Sequence, residues 1–156
     1  MTMYYGESHT TLDDKGRLTI PKQFRPIMET LDHETWFFTR GFDGAIFIFP
    51  SDEWKTLLKR WQRFRRGETL NPRMLDFRRL FLGSVAKVKK DAQWRMLVPA
   101  PLREYAGIAR DAVLLGVEEH LELWSKEGWR AFQAAQMESY KAMGLELFSA
   151  ADAPAA

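Results

Sequence analysis

The sequence of 156 residues contains no cysteine. Disulfide scaffolds and zinc or iron–sulfur sites with cysteine ligands are therefore excluded. Long apolar runs are also absent, because the longest, such as residues 45–50 and 112–117, are far shorter than the roughly 18 residues of a membrane-spanning helix. The first ten residues lack the basic and apolar blocks of a signal peptide. We therefore expect a cytoplasmic protein without a membrane partner.

A strong charge of one sign is missing as well, since 23 Lys and Arg oppose 21 Asp and Glu. The resulting net charge of +2 does not by itself indicate a nucleic-acid partner. The charge is distributed unevenly, with +6 over residues 53–79 and +4 over residues 80–103 between two acidic ends. We interpret the basic cluster Lys55–Arg66 as the solvated face of a helix, although contact with phosphate remains an alternative for the basic middle of the chain.

Signatures of catalysis are also lacking. The sequence contains no glycine-rich nucleotide loop, no nucleophile elbow and no zinc-binding H-E-x-x-H. His9, His33 and His120 stand far apart, and none has a second ligand at metal-binding spacing. We therefore predict that the protein is not an enzyme and uses no cofactor, metal or small-molecule substrate.

An internal repeat is what the sequence does contain. Residues 13–25 match residues 91–103, and both share Asp-x-x-x-Arg, three β-prone residues, Pro, and Arg four residues after the Pro. A second match pairs residues 41–54 with residues 116–129. Two copies are too few for a solenoid, so they predict one core with pseudo-two-fold symmetry.

Each copy has the same predicted order of elements. A strand, a tight turn and a short strand precede a short helix opened by Pro21 or Pro99, and a hairpin then leads to a helix capped by Ser51 or Ser125. Asn71 is the expected cap of a helix that links the copies. This order divides the chain into a first half (1–70), a linking helix (71–83), a second half (84–142) and a flexible tail (143–156).

Aromatic residues make up 13% of the sequence. Phe47, Phe49, Trp54 and Trp61 fall at strand or helix spacing, which favours a place in the core or in a subunit interface over a stacking platform for single-stranded nucleic acid.

The Asp-x-x-x-Arg motif allows two roles. An Asp that opens a tight turn accepts backbone N–H bonds and pairs with the Arg, so Asp13 and Asp91 are predicted to structure their turns, with a direct ligand contact as the alternative. Gly16 suits the positive φ of such a turn. The guanidinium of Arg17 suits phosphate or the edge of guanine, and Lys15 suits phosphate. For Arg17 and Lys15, a purely structural or solvated role is equally compatible with the residues alone.

Several segments together are similar to one known family. T-L-D-D-K-G-R-L-T-I-P, R-R-L-F-L-G-S, V-P-A-P-L-R-E-Y-A-G and L-L-G-V with E-L-W-S-K-E closely resemble MraZ proteins, in order, over about residues 1–130. The resemblance implies an α+β fold, namely a pseudo-two-fold double-split β-barrel built from two AbrB-like halves with flanking helices.

The resemblance also implies a function. MraZ proteins are bacterial transcriptional regulators associated with the division and cell-wall gene cluster, and they form rings that bind repeated G-rich DNA upstream of their own operon. We therefore expect a nucleoid-associated regulator, repressing its own operon, whose partners are double-stranded DNA and copies of itself. The expected DNA-binding residues are Lys15, Arg17, Lys90 and Arg95. The alternative is a ring scaffold or an antitoxin-like protein-interaction module on the same fold.

The second copy departs from the family pattern. The family has Lys-x-Gly between Asp and Arg, whereas this chain has Ala92, Gln93 and Trp94. Because Trp does not adopt positive φ readily, we expect a turn of different shape and place more weight on the first copy for DNA binding.

Overall fold

The computed structural model describes residues 3–65 and 71–152. Its strands are β1 (Tyr4–Thr11), β2 (Arg17–Thr19), β3 (Thr35–Arg40), β4 (Ile46–Pro50), β5 (Ala86–Lys89), β6 (Arg95–Leu97), β7 (Asp111–Glu118) and β8 (His120–Ser125). Its α-helices are α1 (Arg25–Thr30), α2 (Ser51–Arg65), α3 (Pro72–Gly83), α4 (Ala100–Ala106) and α5 (Lys126–Asp152), and a single 3-10 turn, Lys22–Phe24, leads into α1. The element types agree with the predicted order in both copies.

The strands form two antiparallel sheets, and in each sheet strands from the first half of the chain pair with strands from the second half. The larger sheet has the order β1-β7-β8-β4-β3-β5, and the smaller sheet pairs β2 with β6. Replacing each strand by its equivalent in the other copy gives the same order read backwards. Both sheets are therefore two-fold symmetric, and the expected fold of two intertwined AbrB-like halves is confirmed.

The registers locate the pseudo-two-fold axis. In the larger sheet Phe47 lies opposite Glu122, at the centre of the β4–β8 ladder. In the smaller sheet Leu18 lies opposite Met96, at the centre of the β2–β6 ladder. The axis thus passes through both ladders, and the turn before β2 and the turn before β6 are related by it.

The core lies between the two sheets. Side chains alternate across each strand, so Leu18 and Met96 of the smaller sheet point inward and are almost fully buried. They meet Trp36, Phe38 and Leu114 from the larger sheet in one apolar cluster. Burial on this scale favours folding by about 1.5–3 kcal/mol for each large side chain. The smaller sheet is thereby held rigidly by the larger one.

The other face of the larger sheet is covered by helices. Trp129 and Phe132 of α5 pack on Trp124, and Trp54 of α2 stacks on Phe37. Phe81 of α3 packs against Trp54 in turn. Trp54 and Phe49 are buried, as the spacing predicted. Among the described residues, no helix is long and apolar enough to cross a membrane.

Two side-chain caps and a proline mark where three of the helical segments begin. The side chain of Asn71 accepts a hydrogen bond from the backbone N–H of Arg73, and Pro72 is the first residue of α3, as predicted for the linking helix. Ser125 accepts a hydrogen bond from the N–H of Gly128 and so caps α5. In the first half, Pro21 precedes the 3-10 turn that opens α1.

The far end of the chain differs from the prediction of a flexible tail over residues 143–156. Helix α5 continues to Asp152, so residues 143–152 are helical, and residues 153–156 lie outside the described residues. The reason is composition: Ala, Leu, Met and Glu dominate this stretch, and their intrinsic helix propensity is high.

A buried polar chain joins the first strand to helix α2. The hydroxyl of Tyr4 donates to Nδ1 of His33 over 2.8 Å, and Nε2 of His33 donates to the carboxylate of Asp52 over 3.2 Å. Both Tyr4 and His33 are buried. Burial raises the pKa of Tyr4, with a further contribution from the charge of Asp52, which keeps the phenol protonated as a donor.

Replacing Tyr4 by Phe is expected to lower the free energy of unfolding by about 1–3 kcal/mol, because Nδ1 of His33 loses its donor inside the core. Urea denaturation followed by circular dichroism measures the change. Tyr5, which is 72% exposed, provides the matched control, and Tyr5→Phe should shift the free energy by less than about 0.5 kcal/mol. Equal effects of both substitutions would contradict this account.

Candidate nucleic-acid interface

The two Asp-x-x-x-Arg turns have the same hydrogen bonds. In the first turn, the carboxylate of Asp13 accepts from the backbone N–H of Lys15 at 3.0 Å and of Arg17 at 2.9 Å. It also accepts from Nε of Arg17 at 2.7 Å. The backbone N–H of Gly16 also donates to the carbonyl of Asp13, and the N–H of Asp13 donates to the carbonyl of Arg17. These five hydrogen bonds within residues 13–17 leave the turn little freedom.

The second turn repeats this pattern residue by residue. Asp91 accepts from the backbone N–H of Gln93 at 2.9 Å and of Arg95 at 2.8 Å, and from Nε of Arg95 at 2.9 Å. Gly16 has φ 80° and Trp94, its equivalent, has φ 61°. The expectation that Trp94 changes the shape of the turn is therefore wrong, because Trp94 adopts the left-handed conformation that Gly16 adopts.

Two cations stabilise Trp94 in this conformation. Nζ of Lys90 lies 4.2 Å from the centre of a Trp94 ring, and Cζ of Arg25 lies 5.4 Å from it. Each cation–π contact contributes about 0.5–1 kcal/mol, and together they offset the roughly 1–2 kcal/mol that a left-handed conformation costs a residue with a side chain. The ring also packs against the core.

Each turn is joined to the opposite half of the chain. The N–H of Val98 donates to the carbonyl of Gly16, and the N–H of Ile20 donates to the carbonyl of Trp94. These bonds extend the β2–β6 ladder into both turns. The turns therefore lie on a rigid, two-fold symmetric element, which lowers the entropic cost of holding them in place when a ligand binds.

The two motif arginines lie on one exposed face. Arg17 lies opposite Leu97 in the ladder, and Thr19 lies opposite Arg95. Residues opposite each other in an antiparallel pair share a face, so all four point away from the buried side. Leu97 is 52% exposed. Arg17 and Arg95 are thus diagonal neighbours on this face.

The four predicted DNA-binding residues are not equivalent. Lys15 is exposed at the tip of the first turn, and Arg17 pairs with Asp13 through Nε. Arg95 pairs with Asp91 in the same way, but its Nη2 also donates to the side chain of Gln93 at 3.3 Å. Nζ of Lys90 lies on Trp94 and donates to the carbonyl of Asp91 at 3.3 Å. Lys90 and Arg95 of the second turn therefore make more contacts within their own turn than Lys15 and Arg17 of the first.

The sequence that forms these turns matches a known family. The family model described as "MraZ protein, putative antitoxin-like" matches residues 3–77 and 81–146. The chain belongs to the MraZ family. It is 37% identical to the "Transcriptional regulator MraZ" of Syntrophomonas wolfei over 141 residues, which cover 89% of this chain and 92% of that protein.

Further MraZ relatives match with similar coverage. The "Transcriptional regulator MraZ" of Desulfitobacterium hafniense is 36% identical over 88% of this chain and 92% of its own length. The "Transcriptional regulator MraZ" of Frankia alni is 33% identical over 93% of this chain and 96% of its own length. Both halves of the repeat are therefore part of the similarity.

Two further arginines of this MraZ chain lie beside the turns and were not among the predicted DNA-binding residues. Arg25 follows Pro21 by four residues, and Arg103 follows Pro99 by four. Arg25 crosses to Trp94 of the second turn, whereas Arg103 crosses to Gly16 of the first, where an added Cβ would lie 2.7 Å from Cζ of Arg103.

These crossed arginines are held by equivalent bonds. Nε of Arg25 donates to the carbonyl of Ile20 at 3.0 Å, and Nε of Arg103 donates to the carbonyl of Val98 at 3.1 Å. Each turn therefore combines a cation of its own half with one of the other. The repeated Pro-x-x-x-Arg spacing is the sequence signal that could have identified these two arginines. The strand pairing between the halves is what places each arginine beside the turn of the other half.

The hydrogen bonds lower the pKa of both turn carboxylates of the MraZ motif. For Asp13 the bond from the backbone N–H of Arg17 contributes most, and the side chain of Arg17 and the N–H of Lys15 add to it. For Asp91 desolvation is the largest single contribution and raises the pKa, but the bonds from Arg95 and Gln93 together outweigh it. Both groups remain ionised as acceptors at neutral pH.

Both carboxylates are expected to titrate below their ordinary value of 3.8. Because the pKa is lower in the folded state than in the unfolded state, the stabilisation is present above the unfolded value of about 3.9 and is lost as the pH falls through the lowered pKa. NMR titration of the side-chain carboxyl carbons measures both midpoints. A midpoint at or above 3.8 for either residue would contradict the hydrogen-bond pattern.

Proposed function

We propose that this MraZ-family chain is a sequence-specific, DNA-binding transcriptional regulator in the cytoplasm, associated with the nucleoid. The exposed face of the β2–β6 ladder is the observation that supports the proposal most strongly. It carries Arg17 and Arg95 on rigid turns with Arg25 and Arg103 beside them. Arginine on a preorganised turn suits both the phosphate backbone and the edge of guanine.

The proposed target is a set of repeated G-rich elements upstream of the protein's own operon, in the division and cell-wall gene cluster, where binding represses transcription. A ring of copies is the proposed active form. One pair of turns supplies few phosphate contacts, but a ring repeats them, so that binding of one subunit raises the effective concentration of the next at the neighbouring repeat. Guanine specificity is assigned to Arg17, and phosphate contact to Lys15.

DNase footprinting on the protein's own upstream region tests this proposal. We expect protection over the repeated elements and a steep loss of affinity between about 50 and 200 mM salt, because each neutralised phosphate releases counterions. A reporter fused to the same region should lose expression when the protein is supplied. Protection no better than on unrelated DNA at the same salt would refute sequence-specific binding.

The second candidate function is a ring scaffold or an antitoxin-like interaction module. The antitoxin-like description of the family is the observation that favours it. Such a protein would co-purify with a stoichiometric partner and would give no footprint on its upstream region. The footprint therefore discriminates between the two functions, because it reports on DNA directly.

A further inference from the structure

An apolar cavity of about 580 Å³ opens between α2, α3 and the outer face of the larger sheet. Aromatic rings form most of its wall. Phe42 lies 5.2 Å from Phe47 and 6.4 Å from Phe77, and Trp61 lies 5.8 Å from Phe77, measured between ring centroids. Phe42 is 60% exposed at the mouth. A cavity of this volume with a mainly apolar wall is typical of a binding site.

An unpartnered helix face lies elsewhere on the same chain. From residue 134 to residue 152, every residue of α5 except Gly144 is exposed. Met137, Tyr140, Leu147 and Phe148 fall at i, i+3, i+10 and i+11, which places them on one side of the helix. Phe148 is 72% exposed. Because most helical stability in proteins comes from packing of an amphipathic face, a partner on this apolar side would stabilise the helix.

The pseudo-symmetric helices α2 and α5 differ in how much of each is covered by the rest of the chain. Helix α2 follows β4, and its aromatic side is covered by α3, where Trp61 lies 5.1 Å from Phe81 and Trp54 lies 5.9 Å from Phe81. Helix α5 follows β8, the equivalent of β4, and its first turns pack on Trp124. Within the described residues, nothing covers the remainder of α5 as α3 covers α2.

The two helices beside the cavity and the far part of α5 carry net charges of opposite sign. Helix α2 contains five Lys or Arg and two acidic residues, and α3 contains three Arg and one Asp. From Met137 onward, α5 contains three acidic residues and one Lys. Apolar contact combined with charge complementarity favours this helix as the occupant of the cavity, and the charges would also steer the encounter.

We propose that the apolar side of α5 from one copy of this chain docks into the cavity between α2 and α3 of the next copy. Trp129 and Phe132, near the start of α5, pack on Trp124 of β8, and the exposed remainder of the helix is free for a second chain, which is the occupant proposed here. The contact joins two different surfaces. Such head-to-tail contacts close into rings when the rotation between copies allows it. The inference rests on the proposed ring and identifies the surfaces that build it.

Native mass spectrometry of single-residue variants tests the contact. Phe148→Glu on the helix and Phe42→Glu at the mouth should each shift the particle to the 18.2 kDa monomer, because a carboxylate would be buried among aromatic rings. Both residues are exposed in the single chain, so folding should persist and is checked by circular dichroism. Ala142→Glu, which adds the same charge on the opposite side of α5, should leave the assembly intact.

The absence of cysteine permits a second, direct measurement. A Phe42→Cys chain is mixed with a Phe148→Cys chain and treated with a short bismaleimide. We expect a covalent dimer that forms in the mixture and is absent from either variant alone. A dimer formed by Phe148→Cys alone would overturn the proposal, because it would indicate helix-to-helix pairing.

The outcomes separate this inference from the proposed function. An assembled wild-type particle that tolerates Phe148→Glu would refute the docking site and leave the ring standing. A monomeric wild-type protein would refute the ring itself. An assembly that dissociates with Phe148→Glu and Phe42→Glu, but not with Ala142→Glu, would support the docking site whether or not the footprint is found.

Discussion

Replacing Arg17 by Ala should reduce the affinity for the operator by about 100-fold, because a bidentate contact with guanine contributes about 1–3 kcal/mol and each subunit on the DNA loses one. The turn itself should survive. Asp13 keeps its bonds from the backbone N–H groups of Lys15 and residue 17, neither of which depends on the guanidinium. A gel-shift titration at fixed salt measures the loss, and native mass spectrometry confirms that assembly is unchanged.

The control is an arginine with the same charge on the other side of the molecule. Arg130 is exposed on α5, which covers the opposite face of the larger sheet, and Arg130→Ala should change operator affinity only slightly. Arg95→Ala should have a smaller effect than Arg17→Ala, because Nη2 of Arg95 is engaged by Gln93. Unchanged affinity in Arg17→Ala would remove this residue from the interface.

A single methyl group at Gly116 should destabilise the fold by about 3 kcal/mol. Gly116 of β7 lies opposite Gly6 of β1, and a Cβ atom at position 116 would lie 2.6 Å from the carbonyl carbon of Tyr4. The obstructing atoms belong to the backbone, so a change of rotamer cannot relieve the clash. Strand β1 belongs to the first half of the chain and β7 to the second. A clash that separates these two strands therefore breaks the pairing between the halves.

Urea denaturation measures this effect, with Gly83→Ala as the matched control. Gly83 is the last residue of α3 and has no heavy atom within 4 Å of an added Cβ. Gly83→Ala should leave the free energy of unfolding unchanged or raise it by up to about 1 kcal/mol. Similar values for the two variants would show that the approach of β1 to β7 is not as tight as described.

Much of the fold could be predicted from the repeat, because strands, turns and helix starts depend on local residue patterns. Pro21, Asn71 and Ser125 marked helix starts that the structure contains. The exchange of strands between halves could not be derived in the same way. Which strand pairs with which depends on contacts far apart in sequence, and only the resemblance to a family supplied it.

The site shows the same division between local and long-range information. The bonds of Asp13 and Asp91 involve residues within four positions, so the motif predicts them. The Trp94 ring contacts Lys90, four positions before it, but also Arg25, which is 69 positions away in the chain and adjacent in space. A local argument treats that turn as an isolated peptide and therefore overestimates the cost of replacing Gly by Trp.

The two turns differ in sequence, and this difference bears on how the chain would be oriented along a DNA duplex. Two identical chains around a two-fold axis must carry identical turns, and such dimers match palindromes. Here one polypeptide holds both copies, so Gly16 and Trp94 could diverge while the scaffold kept its symmetry. Each chain thus has a distinguishable left and right end, and successive chains arranged head to tail would match direct repeats with a fixed polarity.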